Sequence, residues 1–281
     1  MAIKDIFLPL VGEPDAAAIA AIDKCMAVAG DLGARVTAIT VEEDILVRPK
    51  VTILADLDNA AAAEAVWSVS NAHGLLEAFD AAATRFGVRN EQRIYRFAAA
   101  DISANFAVLA RLKDLSLVPV KSHDSRSEKI VEGLIFESGR PILMCPEEFV
   151  AELAVAFDDV VIAWDHTAPA ARAVADALPW LQAAANVRII TATDNKTPTA
   201  ELESGTALVS HLAEHGIKAT FEMIKIDGSS VGKVFEAYVY ANAIDLLIMG
   251  AYRHSRLNET VWGGATKTII ARPPCWVLMS R

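Results

Sequence analysis

Short apolar runs bounded by polar and turn residues recur along the chain, twice in the same order. Ile6–Val11 (IFLPLV) and Val160–Trp164 (VVIAW) are each preceded by aspartate and followed by turn residues and an alanine-rich stretch. Such a run reads as a strand buried on both faces, as in a parallel sheet covered by helices. The alanine-rich stretches predict helices over Asp15–Leu32, stopped at Gly33 as a C-cap, and from Pro169, suited to a first helical turn, to Ala185. Second strands are predicted at Arg35–Val41 and Val187–Thr193. Helices then end before Gly87-Val88 and Gly216-Ile217, each leading into a third strand. Asp114–Val118 and Asp245–Met249 form a fourth pair, Pro141–Met144 and Pro274–Met279 a fifth.

Strand and helix alternating in this way give βαβ units with right-handed crossovers. A repeat of roughly 130–155 residues means a duplicated domain and not a solenoid. The expected fold class is α/β: two tandem doubly wound domains over residues 1–148 and 156–281, each a five-stranded parallel sheet of order 3-2-1-4-5 flanked by helices. The boundary falls within Pro146–Phe157. The Glu42–Asn59 stretch is longer than its counterpart, and no function is assigned to it.

The chain's 281 residues suit two domains, each able to bury its own core. A net charge of −10 argues against a nucleic-acid surface, which needs clustered Lys and Arg, although one Arg or one helix N-terminus can still hold a phosphate. Cys25, Cys145 and Cys275 are odd in number and far apart, so neither a disulfide framework nor a cysteine zinc site is expected, and a reducing compartment fits better. The opening MAIKDIFLPLVGEPD lacks a signal-peptide pattern, and no apolar run approaches the ~20 residues of a membrane span. The expectation is a cytoplasmic protein with neither nucleic-acid nor membrane partners.

In a doubly wound sheet, ligands bind beyond the carboxyl ends of the strands where strand order reverses, between strands one and four of each half. In the second half those positions are Asp165-His166-Thr167 and Gly250 to Ser255. A carboxylate there can accept from a ribose or base, and a glycine lets backbone N–H groups approach phosphate oxygens.

The stretches VVIAWDHTAPAARAVADALPWL and DLLIMGAYRHSRLNETVWGGATKTIIARPPCWVLMSR resemble the opening and closing segments of a universal stress protein domain. The resemblance covers nearly all of the second half and, more weakly, the first. It implies a five-stranded parallel sheet between helices, and domains that pair through their fifth strands. It also implies a nucleotide site of pattern G-x2-G-x9-G-[S/T], with the aspartate after strand one reading the adenine end. The pattern maps onto Gly250, Arg253, Gly263 and Gly264, so two positions depart: Arg253 replaces the second glycine and Gly264 the Ser/Thr. The implied site comprises Asp165, Thr191, Met249, Gly250, Arg253, His254, Gly263, Gly264, Ala265 and Thr266, with ATP or AMP as ligand and no metal. Arg253 blocks close backbone approach, pairs with a phosphate itself, or points outward and leaves the pocket open.

In the first half Val11 stands for Asp165 and Pro119, without an N–H, for Gly250; only Gly133, opposite Gly264, survives. Val120–Lys129 is expected to be a flexible polar loop, and the first half mainly structural. His211-Leu212-Ala213-Glu214-His215 matches a zinc-protease pattern, but no third ligand is identifiable and an exposed helix face is the better reading. Ser122-His123-Asp124 and Asp165-His166-Thr167 hold triad residue types as neighbours, which suits turns and caps better than a catalytic triad.

The resulting expectation is a regulatory binding protein and not an enzyme, its halves docked through their fifth strands, with a homodimer and a regulatory protein as candidate partners. The alternatives are a ligand-free dimerisation module and a slow ATP hydrolase. Against the hydrolase stand the lack of a Walker lysine motif and of a metal-binding carboxylate pair.

Overall fold

The computed structural model describes residues 2–44, 55–148, 156–194, 199–251 and 263–281, with the side chains of 55–62, 199–202 and 263 left out. The first half runs β1 (Asp5–Leu10), α1 (Ala16–Asp31), β2 (Arg35–Glu43), α2 (Ala55–Arg85), β3 (Arg89–Phe97), α3 (Ile102–Ala110), β4 (Leu115–Val120), α4 (Ser125–Glu137) and β5 (Ile142–Pro146). The second runs β6 (Asp159–Ala163), α5 (Ala168–Ala183), β7 (Asn186–Thr193), α6 (Thr199–Glu214), β8 (Ala219–Lys225), α7 (Val231–Ala241), β9 (Leu246–Gly250), α8 (Gly263–Ala271) and β10 (Trp276–Ser280).

The ten strands among the described residues form one sheet of order β3-β2-β1-β4-β5-β10-β9-β6-β7-β8. Within each half every pairing is parallel and the order is 3-2-1-4-5. The halves meet where β5 and β10 run antiparallel, Leu143 opposite Leu278, Met144 opposite Val277 and Ile142 opposite Met279. These are equivalent positions of the two repeats, so the junction is self-complementary about an axis between the two leucines, as in a twofold interface. The two fifth strands, which would otherwise be open edges, satisfy each other's backbone.

Alternation along the buried strands sends side chains to both faces. Ile6, Leu8 and Leu10 join a core with α1, α2, α5 and α6, whereas Phe7 joins a core with α3, α4, α7 and α8. Both cores cross the junction: Leu143 and Leu278 lie in the first, Met144 and Val277 in the second. The product is one three-layer sandwich, not two separately closed sheets.

The duplication extends to polar details. Asp114 Oδ2 accepts from the backbone N–H groups of Lys4 and Asp5 (2.8 and 3.0 Å), and Asp245 Oδ2 accepts from those of Asp158 and Asp159 (3.0 and 2.8 Å). Each clamp ties the start of strand four to the start of strand one. Asp5 and Asp159 then pair with Arg35 and Arg188 on the neighbouring strand.

The structure corrects the reading of Val120–Lys129 as a loop. Val120 ends β4, and α4 begins at Ser125 with Asp124 as N-cap, its carboxylate accepting from Ser127 N–H at 2.8 Å. The serines and Asp124 mark a helix start here, because short polar side chains satisfy the first free N–H groups of a helix. Much of the Glu42–Asn59 loop and of the inter-repeat boundary lies outside the described residues.

Candidate functional site

The second-half crevice forms at the carboxyl ends of β6 and β9. Asp165 follows β6, and its Oδ1 accepts from the Thr167 N–H (3.1 Å) and Oγ (2.6 Å). Thr167 in turn caps α5 through Ala170 N–H at 3.3 Å. The turn is held by His166 in the left-handed region (φ 61°), where Gly12 (φ 100°) stands in the first half. Burial raises the Asp165 carboxyl above its ordinary range, opposed by the Thr167 hydrogen bonds. Asp165, Met249, Gly250, Ala265 and Thr266 line one crevice together with Ala163 and Phe235. The convergence expected of Asp165 and Gly250 is therefore present. The space they enclose is small, ≈ 10 Å³ among the described residues.

Gly250 has a packing role of its own. A Cβ there would lie 2.5 Å from Ala170 N and 2.7 Å from the Pro169 carbonyl carbon, so the residue lets the first turn of α5 sit on the end of β9. Gly264 is the opposite case, with open space where its Cβ would be. Thr191 does not line the crevice: it is fully buried in β7 and donates its hydroxyl to the Trp164 carbonyl at 2.9 Å. Gly263 begins α8. Arg253 and His254 lie outside the described residues. The His211 and His215 rings stand 5.0 Å apart at the end of α6, and among the described residues no group of three metal-ligating side chains is assembled.

The larger cleft is in the first half, at the matching place beyond β1, β2 and β4, with a volume of ≈ 420 Å³. The 31-residue α2, against 16 residues in α6, supplies a tall wall carrying Trp67, Ser68 and Asn71. Ser68 Oγ anchors that wall by accepting from Glu43 N–H at 2.9 Å. The opposite wall is the start of α4, and Glu147, directly after β5, closes the back.

Charge inside this cleft is unevenly matched. Lys121 pairs with Asp15 at 3.3 Å and Arg126 with Glu43 at 2.5 Å. Asp15 also caps α1 through Ala17 and Ala18 N–H, and those bonds together with Lys121 hold its carboxyl below the usual range. Ser122 is committed to Glu148 through both its N–H and its hydroxyl. The Glu147 side chain makes no hydrogen bond or ion pair among the described residues, although the residue is only 9% exposed. Its carboxyl is pushed up to about 7 by burial and by Asp15, opposed by Lys121, with Glu148 and Asp124 adding to the rise.

Sequence reasoning missed this cleft because it weighed the glycine pattern, which is eroded in the first half. The signal was present in the duplication itself. A second switch point must exist, and the charged residues nearest it are Asp15, Lys121 and Asp124.

No family model matches the sequence, and no curated protein does. Solved structures do resemble it. A universal stress protein from Archaeoglobus fulgidus superimposes with a TM-score of 0.66 at 14% identity, over 99% of this chain and 96% of that one. A protein of unknown function from Pseudomonas aeruginosa (TM-score 0.59, 11% identity) covers 99% of this chain and 92% of its own. A candidate universal stress protein from the same species (TM-score 0.60, 12% identity) covers 99% and 93%. With two 3-2-1-4-5 halves joined through β5 and β10, the chain has the fold of the universal stress proteins in its tandem, two-domain form.

Proposed function

We propose that this chain is a non-catalytic, ligand-responsive regulatory protein of the universal stress type, built of two domains that share one sheet, with an adenine nucleotide, ATP or AMP, as the ligand of the second half. The observation that carries the reading is the convergence of Asp165, Gly250 and Thr266 on one crevice at the switch point. There Asp165 has a second carboxylate oxygen to offer a ribose hydroxyl, and the start of α8, opened by Gly263 and Gly264, turns backbone N–H groups and a positive helix end toward a phosphate. Signalling would then run through contacts with a regulatory protein or a second copy of the chain.

The non-catalytic reading rests on the chemistry of the available groups. All three cysteines are buried, and burial pushes the Cys25 and Cys275 thiols far above their ordinary range, so neither is a ready nucleophile. Asp165 Oδ1 is occupied in holding Thr167.

A ligand-free second half is the competing reading. The ≈ 10 Å³ between the described residues and the packing role of Gly250 favour it, because that glycine is needed whether or not a phosphate approaches. Calorimetric titration of the full chain with ATP and AMP separates the two. Saturable binding that Asp165→Ala abolishes supports the nucleotide site; no heat and no change in melting temperature leaves the ligand-free module.

A further inference from the structure

We propose that the first-half cleft is a second, independent site, for a small organic amine carried as its ammonium ion. Six carboxylates line it: Glu13, Asp15, Glu43, Glu64, Asp124 and Glu147. Among the described residues the lining holds two formal cations, Lys121 and Arg126, each already held by a carboxylate, and the imidazole of His123. With His123 neutral, the described lining therefore carries an excess of three negative charges with Glu147 protonated and four with it ionised. Such a site repels a nucleoside triphosphate and attracts a cation.

The acidic excess alone would describe many solvated surfaces. What makes a site of it is Glu147, a residue only 9% exposed that lines the cleft and whose side chain makes no hydrogen bond or ion pair among the described residues. A buried acceptor of this kind is costly unless something donates to it. An ammonium group supplies both the positive charge and the N–H donors. The rest of the lining suits an organic body and not a bare ion. Val11, Leu75 and Ile102 add apolar surface to the lining, and Trp67, 52% exposed, adds an aromatic ring able to attract a cation. A divalent metal is the poorer fit, since no group of three ligating side chains is assembled among the described residues.

Occupancy is coupled to the ionisation of Glu147. Asp15 at the N-cap of α1, the Cys25 thiol on α1, Lys121 after β4, Asp124 at the start of α4 and Glu148 are the charged and titratable groups around it, and Glu13, Glu43, Glu64, His123 and Arg126 line the same cleft. An ammonium ion adds a positive charge beside the carboxyl and so expels its proton. Affinity should therefore rise with pH across neutrality while the amine itself stays charged.

The test is calorimetric titration of the full chain with butane-1,4-diamine and with spermidine, with and without ATP. Saturable one-site binding with Kd below about 1 mM is expected, tightening up to about tenfold between pH 6 and pH 8 and indifferent to ATP. Glu147→Gln should weaken binding at pH 8 at least about tenfold and abolish its pH dependence. Trp67→Ala, at a half-exposed position, should weaken it a few-fold. Absence of saturable binding, binding unchanged in Glu147→Gln, displacement by equimolar magnesium, or competition by ATP would each overturn the proposal. Because nucleotide binding in the second half is read in the same titrations by a different ligand, either site can fail without the other.

Discussion

The two halves share a strand order, a pair of aspartate clamps and a switch point, yet they differ in what the switch point encloses. In the second half α6 is short, and α5 is seated on Gly250, so the described side chains leave almost no space. In the first half Pro119 stands where Gly250 does, the long α2 rises beside the sheet, and a cleft of ≈ 420 Å³ results. The repeat whose glycine pattern is eroded has the roomier crevice. A phosphate-type motif and an open cavity are thus separate properties: the motif governs how closely a backbone can approach, and helix length and seating govern volume.

The sharpest way to break the comparison is at the junction. If the halves form one sandwich, Leu143→Ala and Leu278→Ala, both fully buried, should each cost about 2–5 kcal/mol and lower a single shared melting transition. Two separate calorimetric transitions, only one responding to each variant, would show that the halves unfold independently.

Next is the pair of glycines in the second half. Gly250→Ala should destabilise by about 1–3 kcal/mol, because its Cβ meets the α5 backbone at 2.5 Å. Gly264→Ala meets open space within α8 and should be neutral or stabilise by up to about 1 kcal/mol. Denaturant midpoints for the two variants would show whether packing separates them as stated.

The aspartate clamps test the symmetry. Asp114→Ala and Asp245→Ala each strand two backbone N–H groups and should cost similar amounts, about 1–3 kcal/mol. Unequal losses would mean the duplication is geometric but not energetic.

The smallest effect depends on pH. The folded Glu147 carboxyl titrates at about 7, above its unfolded value of 4.5, so the folded state binds more protons between those two values. Stability therefore falls as pH rises through that window, and the full cost is present above it. Glu147→Gln should be more stable than the parent by about 1–2 kcal/mol at pH 8, after allowing for screening at the cleft, and no more stable at pH 4. Thermal melts at both pH values check the sign.

Much of this architecture was legible along the chain. Strands buried on both faces must be apolar throughout, so the order of the strands and the first two helices of each half were written in the hydrophobic pattern, whereas α3, α7 and α8 were not placed from it. α4 was harder to read, because its start looks like a solvated loop and only the Asp124 cap distinguishes it. Gly250 was read for its lack of a Cβ, but the neighbour requiring that lack, the first turn of α5, is 80 positions away in sequence. Thr191 has the residue type of a binding group, yet its hydroxyl is spent on Trp164.

The sequence by itself determined the duplication, the element order and the residues at each strand's carboxyl end, since these follow from local pattern and repetition. Tertiary structure alone decided that β5 and β10 pair antiparallel into one ten-stranded sheet, that the larger crevice belongs to the first half, and that Glu147 is buried against it. Those outcomes depend on long-range contacts, where the seating of one helix or the end of one strand fixes a volume and a local dielectric that no stretch of residues encodes alone.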